Sequence, residues 1–420
     1  MRPDRLRLKY MADIRSKSDP GALPGDVSFL PMEAVGERGD FDRDSFRARD
    51  EVGPGYTYFE DGDVVRAKVT PCFENGKGAV LSELMGGRGF GSTELLALRP
   101  RPGAVARFLY YILVSHEFTS QGAGWLYGAH GVKRVPEKFF RDFVAWAPSE
   151  STQRGVTDFL DHEISRMDRL TEKKQRLTDR VYERFAALRT VLTLGRAADK
   201  PLRATEVPWI GRIPDTWKVR RLKDLAKMES GHTPNRQKPE YWVDCDIPWV
   251  TLNDLGALKW KSSIEEPKNQ INTLGIANSS ARILPQGTVI LSRDATVGRT
   301  ALLGRPMAIS QHFVGWVCGN DLVPEYLLHL LRGPGKAWCD SVTAGSTILT
   351  IGMPDLNGLM IPVPPLREQR EIARLCEEET VRTKRVLDLM EQEIGLLQER
   401  RLALISAAVT GQLATPHAAS

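Results

Sequence analysis

Cysteine and long apolar runs are both scarce in this sequence. Only five of its 420 residues are cysteine, and no two of them lie at C-x-x-C spacing with histidines placed to complete a zinc site. No apolar run approaches the roughly 20 residues of a membrane span, and the N-terminus lacks the apolar stretch of a secretory signal. These absences predict a cytoplasmic protein without a metal site, whose cysteines are reduced core residues: Cys72, Cys245, Cys318, Cys339 and Cys376.

Catalytic motifs are also missing. The glycine-rich residues 86–91 (GGRGFG) lack the Gly-Lys-Ser/Thr ending of a phosphate-binding loop, so they are interpreted as a turn. There is no HExxH pattern and no Asn/Asp-Pro-Pro-aromatic tetrapeptide, with which adenine methyltransferases hold a flipped base. A formal net charge of +5 permits a polyanionic partner without requiring one. The chain is therefore predicted to have no catalytic machinery of its own.

The sequence contains an internal repeat. Residues 148–154 (PSESTQR) align with residues 364–370 (PPLREQR), 216 positions further on, and the same offset places Gly195 on Gly411. Upstream the matches continue, but their offset drifts, as it would if loops of different length separated equivalent elements. The two copies differ most in polar, glycine-rich and aromatic loops, where binding residues concentrate. We therefore interpret the duplication as paired recognition; an enlarged scaffold is the alternative.

The segments between the matches predict the fold class. They are short, β-branched or aromatic, and bounded by turn residues, which is typical of a curved or barrel-like sheet with a few short helices. The predicted class is α+β, with two globular domains joined by two long antiparallel helices. The expected segments are a first domain at 1–148, a helix at 149–195, a linker at 196–217, a second domain at 218–364, a second helix at 365–411 and a tail at 412–420.

Apolar residues recur at three- and four-residue steps along both long segments, which indicates helices of roughly 40 residues or about 60 Å. The narrow apolar stripe, flanked by charges, is typical of a coiled coil. Pairing of the two helices within the chain would carry the domains to opposite ends of a rigid spacer. A dimerisation coiled coil between separate chains is the alternative. The stripe includes Leu170 and Leu177 in the first helix and Val386 and Leu389 in the second.

Several further motifs occur in a definite order, and in both copies this order precedes a long helix. In the second copy the motifs are residues 207–217 (VPWIGRIPDTW), 247–251 (IPWVT) and 361–369 (IPVPPLREQ), with residues 400–411 (RRLALISAAVTG) at the end of the helix. In the first copy they are residues 70–78 (TPCFENGKG) and 89–93 (GFGST). With these motifs the sequence resembles the specificity subunits of type I restriction-modification enzymes over nearly its whole length.

This resemblance implies a non-catalytic subunit with two target-recognition domains, each reading one half of an asymmetric split DNA sequence. It implies assembly with two methyltransferase subunits that modify adenine N6, and with ATP-driven endonuclease and translocase subunits. S-adenosylmethionine, ATP and Mg²⁺ would then be bound by those partners, with no cofactor in this chain, and no stable homodimer is expected. A coiled-coil adaptor that binds only protein, or the reader part of a fused methyltransferase or nuclease, are the alternative functions.

DNA contacts need Lys and Arg to neutralise phosphates and paired donors or acceptors to reach base edges. Loops with such side chains occur in both copies, although any one of these residues could be ordinary solvated surface. The candidates are Lys68, Lys77, Arg88, His130, Lys133 and Arg134 in the first copy and Asn235, Arg236, Lys238, Thr251, Arg293, Arg299, Ser346 and Thr347 in the second.

Overall fold

The structure, a computed structural model, describes residues 5–15, 25–53, 55–128, 132–197, 199–345 and 349–413. The chain divides into two compact units: unit 1 comprises residues 1–174 and 392–420, and unit 2 comprises residues 175–391. All five cysteine thiols are free. Across the described ranges, no helix combines the length and the apolar composition that crossing a bilayer requires.

In its described residues, the first repeat contains ten strands and four α-helices. Its strands are β1 (Arg5–Arg7), β2 (Ala12–Arg15), β3 (Asp26–Leu30), β4 (Phe46–Ala48), β5 (Thr57–Glu60), β6 (Val64–Ala67), β7 (Gly78–Val80), β8 (Arg88–Gly91), β9 (Leu95–Pro100) and β10 (Val144–Trp146) in the described part of the repeat. Its helices are α1 (Ala106–Val114), α2 (His116–Ala123), α3 (Glu137–Asp142) and the long α4 (Glu150–Thr193).

The second repeat follows α4. Its strands are β11 (Leu202–Ala204), β12 (Arg212–Pro214), β13 (Lys218–Arg221), β14 (Ala226–Ser230), β15 (Ile247–Val250), β16 (Ser263–Ile264), β17 (Asn269–Ile271), β18 (Ile283–Leu284), β19 (Val289–Ser292), β20 (Thr300–Leu303), β21 (Met307–Ile309), β22 (Phe313–Cys318), β23 (Thr343–Ala344), β24 (Thr350–Ile351) and β25 (Met360–Val363). Its helices are α5 (Thr273–Ala277), α6 (Pro324–Arg332), α7 (Gly335–Val342), α8 (Met353–Gly358) and the long α9 (Leu366–Val409).

The two repeats share one sheet topology. In the first repeat the strands are ordered β2-β9-β6-β7 in one sheet and β4-β3-β8-β5 in another. The second repeat gives β14-β22-β19-β20, extended by β16, and β17-β15-β21-β18. Even the one parallel pairing in the β4-β3-β8-β5 sheet, β3 with β8, recurs as β15 with β21. The predicted internal repeat and the α+β class are confirmed.

Alternating side chains on the central strands face two different cores. In β6, Val64 packs with α1 and the long helices, whereas Val65 packs against Phe59 and other residues of the neighbouring sheet. In β19, Val289 likewise packs in the core that contains α6, whereas Ile290 packs against residues of the neighbouring sheet such as Val250. Because both faces are covered, these strands are apolar along most of their length, and each domain consists of a helical layer, a sheet and a second sheet.

The long helices α4 and α9 are each 44 residues long, or about 66 Å, and lie antiparallel in contact with each other. Within unit 1, Lys174 Nζ lies 2.5 Å from Glu393 Oε2. Within unit 2, Arg189 Nη2 donates a hydrogen bond to Thr380 Oγ1 at 3.1 Å. As the residue number rises along α4, the number of its partner in α9 falls. The predicted antiparallel helix pair is therefore confirmed.

The composition of the buried stripe differs from the prediction. Leu170, Leu177, Val386 and Leu389 are 36–54% exposed, whereas threonines take buried positions: Thr171, Thr380 and Thr383. A threonine can lie in the interface because its hydroxyl is satisfied within its own helix, as when Thr380 donates to the Cys376 carbonyl at 2.7 Å. At these helical turns, the spacing of apolar residues alone therefore predicted the wrong face of the helix to be buried.

A buried glutamine near the start of each long helix makes the same hydrogen bonds in both repeats. Gln153 Nε2 donates to the carbonyls of Gly103 and Pro148, and its Oε1 accepts from the Val105 N–H. Gln369 Nε2 donates to the carbonyls of Asp321 and Pro364, and its Oε1 accepts from the Val323 N–H. Each glutamine thus fixes the beginning of its helix to the chain that leads into the preceding short helix.

Both long helices end at the glycines that the repeat identified. Gly195 and Gly411 have φ values of 68° and 70°, the left-handed conformation that glycine adopts most readily. The N–H groups of the following residues, Arg196 and Gln412, donate back to the carbonyls of Val191 and Ala407. These bonds satisfy carbonyls that the ends of the helices would otherwise leave unpaired.

Residues 196–217, which were expected to be a linker, instead pack in unit 2. Strands β11 and β12 pair antiparallel within this segment, and Ile210, Ile213 and Trp217 are buried in the core of the unit. Of the proline and glycine residues that suggested a linker, Pro208 and Gly211 lie between the two strands, whereas Pro214 is the last residue of β12. The apolar residues between them gave the better signal.

Candidate nucleic-acid interface

Each repeat brings two loops together through backbone hydrogen bonds and a β-bridge. In the first repeat, the loop pair consists of residues 68–77, between β6 and β7, and the described residues 124–128 and 132–136, between α2 and α3. In the second repeat, it consists of residues 293–299, between β19 and β20, and the described residues 343–345 and 349–352, between α7 and α8. We call these the first and the second loop pair. They contain most of the predicted DNA-contacting residues that the structure describes.

Backbone hydrogen bonds hold the first loop pair together. The Val135 N–H donates to the Lys68 carbonyl at 2.8 Å, and the Thr70 N–H donates to the Lys133 carbonyl at 2.9 Å. The Lys68 N–H in turn donates to the carbonyl of Glu94, just after β8, at 2.9 Å. These bonds place Lys68 opposite Val135 and Thr70 opposite Lys133.

The second loop pair uses the same bonds at equivalent positions. The Ile351 N–H donates to the Arg293 carbonyl at 2.8 Å, the Ala295 N–H donates to the Leu349 carbonyl at 3.0 Å, and the Arg293 N–H donates to the His312 carbonyl at 2.8 Å. This correspondence makes Arg293 the equivalent of Lys68, and His312 the equivalent of Glu94.

The correspondence extends to a β-bridge, whose residues carry different chemistry in the two repeats. Val69 bridges Arg134 in the first loop pair, and Asp294 bridges Thr350 in the second. The backbone framework is thus repeated while the side chains on it change. The cation at the Lys68 and Arg293 position is kept in both.

An ion pair links Arg134, in the first loop pair, to Glu94, which directly precedes β9. Arg134 Nε and Nη2 donate to the two carboxylate oxygens of Glu94 at 2.9 and 2.6 Å. These hydrogen bonds lower the pKa of the Glu94 carboxyl and raise the pKa of the Arg134 guanidinium, so both groups stay charged across the physiological range. Sequence reasoning found Arg134 but missed Glu94, because their proximity depends on which strands are neighbours.

In the second repeat, Asp294 of the loop pair contacts His312, which directly precedes β22. His312 Nδ1 lies 2.5 Å from Asp294 Oδ1, and both side chains are partly exposed. Arg293 is half-buried, and its Nε has no hydrogen-bond partner in the structure. Arg299 is exposed, and its backbone N–H donates to the buried Ser292 hydroxyl at 2.9 Å. Sequence reasoning found both arginines and missed His312 and Asp294.

A buried arginine forms hydrogen bonds to one loop of the first loop pair. Arg66, in β6, donates hydrogen bonds to the carbonyls of Leu113, Phe73 and Lys77 at 3.1, 2.7 and 3.0 Å. Burial lowers the pKa of its guanidinium to about 10, which leaves it charged at neutral pH. Because two of these carbonyls belong to residues 68–77, Arg66 fixes the path of that loop.

Three of the predicted DNA-contacting residues have structural bonds of their own. Lys77 Nζ donates to the Met32 carbonyl at 3.0 Å. Thr251 is buried at the start of a 3-10 helix, where its hydroxyl accepts from Asn253 N–H and Asn269 Nδ2. The Asn235 side chain accepts from the Gln237 N–H within its own turn. Lys77 and Thr251 are thereby engaged in holding the fold, which was not expected from their loop positions.

The remaining candidates lie elsewhere on the two domains. Arg88 is exposed at the start of β8, and Arg236 is exposed in the turn before residues 239–241. Lys238 Nζ stands over the Tyr241 ring, 5.4 Å from its centroid. His130, Ser346 and Thr347 lie outside the described residues. In the described ranges, no three His, Cys, Asp or Glu side chains are grouped so that they could hold a metal ion.

Comparison with known proteins bears on this arrangement. A family model described as the type I restriction modification DNA specificity domain matches residues 214–377. The type I restriction enzyme MjaIX specificity subunit of Methanocaldococcus jannaschii is 29% identical over 190 residues, 44% of this chain and 44% of that protein. The EcoEI specificity subunit of Escherichia coli is 32% identical over 199 residues, 46% of this chain and 33% of that protein. The matched regions span less than half the length of these relatives.

Solved structures agree in fold over nearly the whole chain. One chain, from a study of complex assembly and conformational transition of the type I R-M system, has a TM-score of 0.74 at 18% identity and covers 97% of this chain and 98% of its own. The HsdS subunit from Thermoanaerobacter tengcongensis has a TM-score of 0.57 at 18% identity, covering 98% of each chain. Residues 214–377 thus match the type I restriction modification DNA specificity domain, and nearly the whole chain shares its fold with the solved HsdS subunit.

Proposed function

We propose that each repeat of this chain reads one half of a two-part, asymmetric DNA target through its loop pair. The observation that carries the proposal is the repeated backbone framework with exchanged side chains. A protein that must recognise two different half-sites needs the same backbone framework in both domains, but different side chains on each framework to contact the different bases. The first loop pair offers Arg134 with Glu94, whereas the second offers His312 with Asp294.

The cation kept at the Lys68 and Arg293 position suits a contact that both half-sites share. The phosphate backbone is common to every sequence, and Lys and Arg neutralise it. We assign these two residues to phosphate contacts that position each domain on the duplex. The side chains that differ between the loop pairs are assigned to the bases.

In this proposal the chain supplies sequence recognition and no catalysis. It assembles with two methyltransferase subunits that modify adenine N6 and with endonuclease and translocase subunits. S-adenosylmethionine, ATP and Mg²⁺ are bound by those partners, and base flipping is carried out by the methyltransferase. The long helices supply the surface on which the partners dock.

The Arg293→Ala variant tests the phosphate assignment. We expect the assembled methyltransferase with this variant to bind all duplexes more weakly and to lose about one unit of the slope of log affinity against log salt. The control is Arg305→Ala, which removes an exposed arginine beyond the other end of β20. Unchanged affinity and salt dependence of the Arg293→Ala complex in filter binding would contradict the assignment.

A further inference from the structure

The Arg134 guanidinium is held by Glu94 along one edge only. Its Nε–H and one N–H of Nη2 point at the carboxylate. An arginine has five N–H donors in a planar fork, so both N–H groups of Nη1 and the outer N–H of Nη2 remain. Within the described part of the chain these donors have no protein partner, and the Arg134 side chain is 45% exposed. One N–H of Nη1 and the outer N–H of Nη2, which are parallel to each other, therefore form a second donor pair that is left for another acceptor.

Both ends of this ion pair are fixed to the fold. The Arg134 backbone exchanges two hydrogen bonds with Tyr127, at 2.8 and 3.1 Å. The Glu94 carbonyl accepts from the Lys68 N–H, and the Glu94 N–H donates to the Ser92 hydroxyl. A donor pair oriented in advance loses little side-chain freedom when it binds, which favours a geometrically specific contact.

The second repeat has neither member of the pair. The bridge position of Arg134 is Thr350 there, and the position of Glu94 is His312. At these two positions, this second donor pair is therefore present in the first repeat and absent from the second. It fits a feature that only one half of the target contains.

Guanine matches this donor pair. In the major groove, guanine presents two adjacent acceptors, O6 and N7, and two parallel N–H groups of arginine bind both at once. Adenine presents one acceptor and one donor at the same positions, so an arginine discriminates against it.

We propose that Arg134 is a specificity-determining residue that donates two hydrogen bonds to O6 and N7 of one guanine in the half-site read by the first repeat. Glu94 is a positioning residue that orients the guanidinium for this contact. The proposal rests on the proposed function, because it requires that the first loop pair faces DNA.

The test uses the full chain assembled with its methyltransferase subunits and a library of randomised duplexes. Selection with the unchanged complex defines the preferred two-part sequence. Binding is then measured on duplexes that carry each of the four base pairs at every position of that sequence. The variants are Arg134→Ala, Arg134→Lys and Glu94→Gln. The control is Arg141→Ala, which breaks a comparable exposed ion pair with Glu137 in α3 of the same domain.

We expect Arg134→Ala to abolish an about 10- to 100-fold preference for G·C at one position of one half-site and to leave the preferences at all other positions unchanged. Arg134→Lys, which keeps the charge but not the fork, should lose most of the same preference. Glu94→Gln should weaken it at that position only. Arg141→Ala should keep the full pattern.

The proposal is overturned if Arg134→Ala retains every base preference, or if it lowers the affinity for all duplexes equally, as loss of a phosphate contact or of folding would. Loss of the same G·C preference in Arg141→Ala would also overturn it. If the unchanged complex selects no sequence at all, the proposed function itself fails, and this result is distinguishable because it precedes any variant.

Discussion

Gln369 is fully buried, and its amide satisfies three backbone groups. Two of these are carbonyls and one is the Val323 N–H at the start of α6. Gln153 does the same at the start of α1. Because one side chain bonds both the loop before the short helix and the residues before the long helix, it fixes the angle at which the domain joins its helix.

Gln369→Leu should lower the free energy of unfolding by about 2 to 3 kcal/mol, because an apolar side chain at this position leaves three buried backbone groups without partners. Urea unfolding followed by circular dichroism measures the change. Gln286→Leu is the control, since Gln286 is exposed in a turn and should change stability little. Equal stability of Gln369→Leu and the unchanged chain would show that the bonds contribute nothing.

The glutamine could be located from the sequence, but its role could not. The alignment of residues 148–154 with 364–370 placed Gln153 on Gln369 without showing what either side chain bonds. The sequence could not identify Glu94 as a site residue, because its contact with Arg134 joins residues 40 positions apart and depends on strand order. A pattern in one sequence indicates which residues recur, whereas hydrogen-bond partners follow from the tertiary fold.

A polar contact ties the short helix of each domain to its own long helix. In unit 1, the Tyr111 hydroxyl in α1 donates to Asp161 in α4. In unit 2, His329 Nε2 in α6 lies 3.5 Å from Glu377 in α9, which also accepts from the Ser262 hydroxyl at 2.6 Å. The two repeats thus fill one position with side chains that differ in their response to pH.

His329 should make the stability of unit 2 depend on pH. Burial, and after it the charges of Arg189 and Arg332, lower its pKa below the usual 6.5, while Glu377 opposes this shift in part. Between the two pKa values the unfolded chain binds more protons, so the free energy of unfolding is fully present above about pH 6.5 and falls as the pH drops. The lowered pKa of Glu377 adds a loss in the same direction at more acidic pH.

His329→Tyr, which installs the residue of the first repeat, should remove most of the decrease in stability between about pH 7.5 and about pH 5.5, because tyrosine does not titrate there. Denaturant unfolding at the two pH values measures it. His162→Tyr is the control, since His162 is exposed on α4 and should leave the pH dependence unchanged. A variant His329→Tyr with the pH dependence of the unchanged chain would contradict the assignment.

At the scale of elements, the sequence predicted the helices better than their packing. Uninterrupted three- and four-residue spacing was sufficient to predict both long helices. It did not predict that Thr171, Thr380 and Thr383 would be buried while Leu170 and Leu177 are exposed. Threonine counts as polar in a pattern, but within a helix its hydroxyl bonds a carbonyl one turn back and leaves the methyl group to pack.

For the whole molecule, the contacts between α4 and α9 lie within one chain. The pairs Lys174 with Glu393 and Arg189 with Thr380 join residues about 200 positions apart in one antiparallel arrangement. Within the chain, each long helix thus already has the other as its packing partner, and Thr171, Thr380 and Thr383 are buried between them.

The isolated chain is therefore expected to be a monomer. Size-exclusion chromatography with light scattering should give the mass of one chain, at low salt and at high salt alike. A stable dimer would instead support the dimerisation coiled coil that the sequence left open.

The duplication was the feature of the whole molecule that the sequence indicated best. Constant offset along the helices and drifting offset in the domains match a structure in which the sheet order is kept and the loops vary. Which loops meet could not be predicted, because the two loops of each loop pair are brought together by the order of strands and helices and not by any local signal.

Mapping of methylated adenines in the genome of the organism, with and without this gene, tests most directly the claim that the chain selects a two-part DNA target. We expect a split sequence, whose adenines are methylated when the gene is present, to lose methylation completely on deletion and to regain it when the gene is returned. An unchanged pattern of adenine methylation after deletion would contradict the claim.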